Sequence, residues 1–452
     1  MGSSSLPRPH LRGASRPSRW SGLRLGPLVS GLLALVTLAL IAPDAAAIPA
    51  FARRYETACS TCHVQFPKLN NFGEAFRRNG YRFPTEELAQ LKQAPLPLVA
   101  PARRELFPYS DWPTDIAPFP PITLILSGVV PIQPNDTIRP EGEEIVTFDR
   151  LFRSATLVAG ARFGEDVAFF GELGLSPKEG VSYGRGFLVL SNLFGGPWMH
   201  LRVGQLEPQV VSFSSSRRLG GPAYRMLGDA LRPSGWALEP LFRGLDLSGT
   251  LGGRIGYDLG YGQGALTSSL GDPLRQVPRD LYGHLYGKLG GLRLDGVEET
   301  GDDQGEVSLL LGAFYFRGKH TLDARKTADD PPDAEDDTFH KAGVDANARL
   351  GSLELLVAGS VEHHDFDTWA DATRLQGLAE ASFAPFRWLS GTLRWEVDDL
   401  EQGFARRRLV PLVTVTPRLN LRAFAFANVD QDSALDATFR VSEIDLGAAY
   451  AF

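Results

Sequence analysis

The chain has 452 residues, of which 43% are hydrophobic and 22% charged, and its formal net charge is −7. That acidic balance argues against nucleic acid as a partner and admits cationic ones, metal ions included. The length allows more than one domain, and 48 glycines with 27 phenylalanines point to a sheet protein.

Arg8, Arg12, Arg16, Arg19 and Arg24 precede an uncharged apolar run from Leu28 to Ala42, and Ala45-Ala46-Ala47 follows. This is the pattern of a secretory signal peptide over residues 1–47, too short for a membrane-spanning helix and followed by a cleavage site. Its removal takes away five arginines and Asp44, so the formal charge falls from −7 to −11. No later stretch is apolar for long enough to span a membrane as a helix.

Residues 48–94 hold the only two cysteines, in Cys59-Ser60-Thr61-Cys62-His63. Two thiols at this spacing can add to the two vinyl groups of one haem, while His63 reaches the iron from one face. A disulfide leaves His63 unexplained. A structural zinc site wants a second ligand pair, and a thioredoxin-type motif wants a surrounding βαβ pattern; neither is present. The expected cofactor is therefore one covalent haem c on Cys59 and Cys62, with His63 as axial ligand of the haem iron. Pro67 opens and Gly80 closes a predicted helix. Leu69, Phe72, Gly73 and Phe76 share one face of it, and Gly73 permits close backbone approach. Lys68, Arg77 and Arg78 read either as partners for haem propionates or as a solvated basic face.

Residues 95–120 read as a stiff, extended linker, since eight prolines fall between 95 and 121. From about 121 onward the period is two. Leu389, Gly391, Leu393, Trp395 and Val397 alternate with Ser390, Thr392, Arg394, Glu396 and Asp398. A soluble sandwich produces such alternation too, but an apolar last strand ending on Phe452 resembles outer-membrane barrels. Sixteen strands are expected over 121–452, near 121–130, 152–163, 167–176, 184–193, 198–206, 243–252, 254–262, 279–290, 305–317, 339–350, 353–364, 372–384, 388–398, 406–416, 418–428 and 439–452. Long connections near 131–151, 207–242, 263–278 and 318–338 read as extracellular loops, alternating with short turns. The fold class is thus mainly β: an antiparallel outer-membrane barrel of about 16 strands behind a small α-helical monohaem segment.

One CxxCH segment ahead of a large barrel resembles the fused outer-membrane cytochrome c–porin family. Ala52-Arg53, Cys59 to His63, Leu69, Phe72-Gly73, Phe76-Arg77 and Gly80-Tyr81 carry the resemblance. It implies a haem segment on the periplasmic side of the barrel or inside it, in the bacterial outer membrane. It also implies electron transfer between an extracellular donor such as Fe(II) and a periplasmic c-type cytochrome or other carrier. The chain departs from iron-oxidising members, which have Arg-Gln-Thr-Gly before the first cysteine, where it has Arg54-Tyr55-Glu56-Thr57-Ala58. The donor is therefore left open, and with it whether the chain acts as an iron(II)-oxidising enzyme.

For a second axial ligand, Met199 and Met226 lie in the barrel region, not in the haem segment. Alternation turns His200, beside Arg202, and His284, with Tyr282, Tyr286 and Lys288, toward the lumen, where each reads either as an ordinary lumen polar residue or as a second axial ligand; a five-coordinate or water-ligated haem is the alternative. Asp323, Asp329, Asp330, Asp333, Glu335, Asp336 and Asp337 form an acidic loop, either a cation-gathering surface or ordinary solvated charge. His363 and His364 point to opposite faces and cannot easily share an ion. There is no phosphate loop, zinc-protease motif or nucleophile elbow, so no catalytic residue is assigned. The competing function is a porin-like channel in which the haem segment is a plug or redox sensor.

Overall fold

A computed structural model describes residues 50–55, 57–83, 96–97, 105, 115–116 and most of 122–451. Within the last range, 134–144, 265–279, 298–306, 324–333 and several shorter stretches lie outside the description. The expected signal peptide, most of the proline-rich linker, Phe452, Asp329, Asp330 and Asp333 also lie outside it.

Sixteen antiparallel strands close into a barrel: β1 (Ile122–Gln133), β2 (Ser154–Phe163), β3 (Val167–Ser176), β4 (Gly180–Leu190), β5 (His200–Leu206), β6 (Phe242–Leu251), β7 (Ile255–Gly264), β8 (Asp280–Gly290), β9 (Val307–Asp323), β10 (Ala334–Leu350), β11 (Leu353–Phe366), β12 (Ala372–Phe386), β13 (Leu389–Leu400), β14 (Phe404–Arg418), β15 (Leu421–Asp432) and β16 (Arg440–Ala451). Each neighbours the next. The last strand closes on the first in a register that runs from Ile444 opposite Ile132 to Ala451 opposite Ile125. A two-residue strand, Ile145–Val146, adds to the end of β1. Each of the sixteen expected strands overlaps one observed strand.

The barrel is inside-out relative to a soluble protein. On β13, Ser390, Thr392, Arg394, Glu396 and Asp398 are buried while Leu393 is exposed. On β8, Asp280, Tyr282, His284, Tyr286 and Lys288 are buried, and Leu281, Leu285 and Leu289 are exposed. Polar residues therefore line the lumen, and apolar ones cover the outside. Many lumen charges are paired: Arg374 meets Asp398 at 2.6 Å, Arg394 meets Glu380 at 2.8 Å, and Lys341 meets Glu362 at 2.8 Å.

Two expectations change. The connection between β5 and β6, read as an extracellular loop, turns inward: Phe213, Tyr224, Met226, Leu227 and Trp236 are buried within the barrel core. Tyr224 donates to the Glu380 carboxylate, and Lys341 donates to the Met226 carbonyl. Nor are Glu335, Asp336 and Asp337 loop residues. β9 and β10 run seventeen residues each, so these three sit in β10, with Glu335 and Asp337 buried.

The exposed apolar face implies a hydrocarbon environment. Leu285, 60% exposed near the middle of β8, is predicted to tolerate no charge there. Leu285→Arg is expected to lower folding stability in lipid bilayers by about 2–4 kcal/mol, measured by denaturant unfolding in vesicles; an unchanged midpoint would place this face in water.

Candidate functional site

The segment 50–83 sits at the barrel end that carries the tight turns 252–254, 351–352 and 387–388. Gln65 donates to the Arg387 carbonyl at 3.2 Å, Lys68 pairs with Glu354 at 2.9 Å, and Asn79 donates to the Asp295 carbonyl at 2.7 Å. Arg349 donates to Asn71 Oδ1 at 2.9 Å.

Within the segment, helix α1 (Ala50–Tyr55) is followed by a short 3-10 turn, Cys59–Thr61. His63–Gln65 then pairs with Lys68–Leu69 as a small ribbon, and helix α2 spans Asn71–Arg78. The helix thus starts later than Pro67. Asn70 is its cap: Oδ1 accepts from Gly73 N–H at 2.8 Å, satisfying a donor the first turn leaves free. The same side chain donates through Nδ2 to the carbonyls of Ser60 and Thr61, at 3.2 and 3.0 Å. One asparagine therefore ties the cysteine turn to the helix. Gly80 closes the helix in the left-handed region, φ 70°.

Cys59, Cys62 and His63 line one cavity of about 260 Å³ between this segment and the inner wall. Phe51, Tyr55, Phe66, Phe76 and Phe83 give it an apolar surface, and Phe51 stacks on Tyr81 at 5.2 Å. Thr123 and Ile125 of β1, Val158 of β2 and Phe170 of β3 supply the wall. Glu172, Arg185, Ser216 and Arg217 make one polar portion; Arg185 bonds Glu172 at 2.5 Å and Glu207 at 3.1 Å. Of the predicted stripe, Leu69, Gly73 and Phe76 line the cavity; Phe72 instead meets Phe83, at 5.2 Å.

Burial pushes the Cys62 thiol up to about 12, with Cys59 adding to the effect, and raises Cys59 as well. Both are thus protonated and poor nucleophiles as free thiols at neutral pH. Burial lowers His63 to about 4 against nearby carbonyls of Pro67 and Lys68, so its imidazole is neutral, and its Nδ1 has no hydrogen-bond partner. Burial works against ionisation of Glu74, but Arg77 and Arg217 outweigh it and hold the carboxyl well below the usual range.

The candidate second ligands are elsewhere. His200 is buried and its Nδ1 accepts from Asn192 N–H at 3.1 Å; His284 Nε2 lies 3.1 Å from Asp345. Both face the lumen as alternation predicts, and neither lines the cavity. His364 points inward between Asp337 and Glu362 while His363 is exposed beside Thr373. Lys68 and Arg78 do not line this cavity either: Lys68 is paired with Glu354, and Arg78 lies 4.9 Å over the Tyr286 ring. Asn70, Glu172, Arg185 and Arg217 carried no motif. Asn70 just ahead of the helix was the one usable signal, as a cap.

No protein-family model and no curated protein matches the sequence. Among solved structures, the anion-selective porin from Comamonas acidovorans superposes with a TM-score of 0.52 at 13% identity, covering 73% of this chain and 98% of that one. The outer-membrane channel DcaP of Acinetobacter baumannii gives 0.49 at 12% identity, covering 73% and 96%. Pseudomonas putida OprB gives 0.48 at 10%, covering 73% and 94%. The first of these establishes that the barrel has the sixteen-strand porin fold.

Gly73 is where the helix touches the cysteine turn: a Cβ there would lie 2.0 Å from the Cys62 carbonyl oxygen. Gly73→Ala is expected to force the two apart at a cost of about 1–3 kcal/mol. Limited proteolysis should then cut the 50–83 segment faster while the barrel stays resistant; equal cleavage in both proteins would refute the close approach.

Proposed function

We propose that this chain is an outer-membrane electron carrier that holds one covalent haem c inside the barrel lumen, on Cys59 and Cys62, with His63 as axial ligand. The observation that carries the reading is convergence. Two thiols and a neutral imidazole with an unpartnered ring nitrogen line the same largely apolar cavity. A neutral imidazole is the form that binds a metal. The residues present fit the group: two thiols and one imidazole face a space lined mostly by apolar and aromatic side chains.

Each thiol would add across one vinyl group: sulfur bonds one vinyl carbon, its proton goes to the other, and nothing leaves. Once bound, the group supplies one-electron transfer at its iron. The chain's own part is to hold and shield. Asn70 and Gly73 fix the turn that presents the thiols. Phe51, Phe76 and Phe83 exclude water, and Arg185, Ser216 and Arg217 place donors at the polar portion. No second protein ligand is assigned.

In barrels of this kind the short turns face the periplasm. The segment's seat at the short-turn end supports exchange with a periplasmic c-type cytochrome or other carrier, with an extracellular reductant such as Fe(II) on the opposite side. The apolar exterior supports placement in outer-membrane lipid. The fold likeness to porins favours a second reading: a porin-like channel with this segment as plug or redox sensor.

Full-length protein in detergent is expected to retain haem stain after denaturation, and to lose it in Cys59→Ser/Cys62→Ser. A reduced-minus-oxidised spectrum titrated with ferrous iron then tests the donor. Iron that leaves the protein oxidised removes iron and keeps the carrier; absence of covalent haem removes the carrier. Solute conductance in planar bilayers that is unchanged in the Cys59→Ser/Cys62→Ser protein would favour the channel.

A further inference from the structure

A second cavity, of about 70 Å³, lies on the other side of α2, bounded by Ser212 to Arg218 of the inward segment and by the ends of β8, β9, β10 and β11. Seven cationic side chains and three carboxylates line it. Most of the cations are matched: Lys68 and Arg349 meet Glu354, Arg217 meets Glu74, and Arg293 meets Asp295. Lys288 is not. It is 7% exposed, and among the described residues its ammonium has no hydrogen bond or ion pair. Arg78, Arg349 and Arg254 surround it with like charge, and Glu74 is the carboxylate whose field reaches it. Arg78 has an aromatic face, Tyr286, but no carboxylate partner among the described residues. Ser212 Oγ, on the same cavity, is buried and also without a partner.

An ammonium held among like charges without a paired carboxylate is costly, and a bound anion removes the cost. Guanidinium forks beside an ammonium and a hydroxyl suit an acceptor with several oxygens. We propose that this cavity binds a small multivalent oxyanion of the phosphate class, with Lys288, Arg78 and Ser212 as its principal donors. The site is independent of the haem assignment, because Cys59, Cys62 and His63 do not line it.

The test titrates inorganic phosphate into full-length protein in detergent at constant ionic strength, with binding followed by calorimetry. Saturable binding at one site is expected. Lys288→Met should weaken it about tenfold or more, the loss of one charge-assisted hydrogen bond; Arg78→Gln, on the inner helix, gives a second reading if Lys288→Met does not fold. The haem-free Cys59→Ser/Cys62→Ser protein is the third arm. No saturable binding by the wild type overturns the proposal, as does equal affinity in the variants. Binding confined to the haem-free protein assigns the donors to the cofactor's own carboxylates and overturns it too.

Discussion

The lumen of this barrel has to be filled and neutralised at once. Sixteen strands enclose more space than their own inward side chains can occupy, and here those side chains are charged. Asp246, Lys341, Glu362, Arg374, Arg394 and Asp398 are all nearly inaccessible. Buried charge must be paired and hydrogen-bonded or hydrated. The chain meets both demands with two pieces of itself, the 50–83 segment from the short-turn end and the 207–239 segment from the other. Each brings backbone carbonyls and side chains to wall charges: Lys341 to the Met226 carbonyl, Arg374 to the Asp229 carbonyl, Arg225 to Asp430, Lys68 to Glu354.

Two layers of stability follow. The wall is a closed ladder of backbone hydrogen bonds with no free edge, and it does not need the lumen contents to remain paired. The inner segments are held by polar contacts and by apolar packing together, with Trp236 against Phe339 at 4.3 Å and Tyr81 against Phe170 at 5.7 Å. Polar docking is sensitive to partner charge in a way that ladder pairing is not. The segments are joined to each other as well. Arg217 of the inward segment reaches Glu74 of α2 at 3.5 Å and Glu207 at 3.8 Å, and Arg77 donates to Gln209 at 2.8 Å.

The wall was legible in the sequence because a lumen-and-lipid strand writes one face polar and one apolar at every second residue. β13 carries that record from Ser390 to Asp398 without a break. The inward course of 207–239 was not legible. Its buried Phe213, Tyr224, Met226 and Trp236 follow no period, and what turns them inward is a set of wall charges far away in sequence, Glu380, Lys341 and Arg374 among them. The cysteine turn was found by spacing alone. Its supporting residues were not, because Asn70 acts through backbone carbonyls and Arg185, on β4, lines the cavity only where the 50–83 segment meets the wall.

Arg217 is the residue at which these parts meet. It lines both cavities, and burial together with Arg77 makes its own charge harder to sustain, while Glu74 and Glu207 favour it. Its carboxylate contacts are long, and among the described residues its guanidinium donates no closer hydrogen bond. Such a group is poised between partners rather than locked to one. An anion entering beside Lys288 would compete with Glu74 for Arg217, and a carboxylate entering beside Cys62 would compete with Glu207. Either event alters the charge that the other cavity sees through the same side chain. The polar filling that the lumen demands therefore also gives the two cavities a shared electrostatic element, without any movement of the barrel wall.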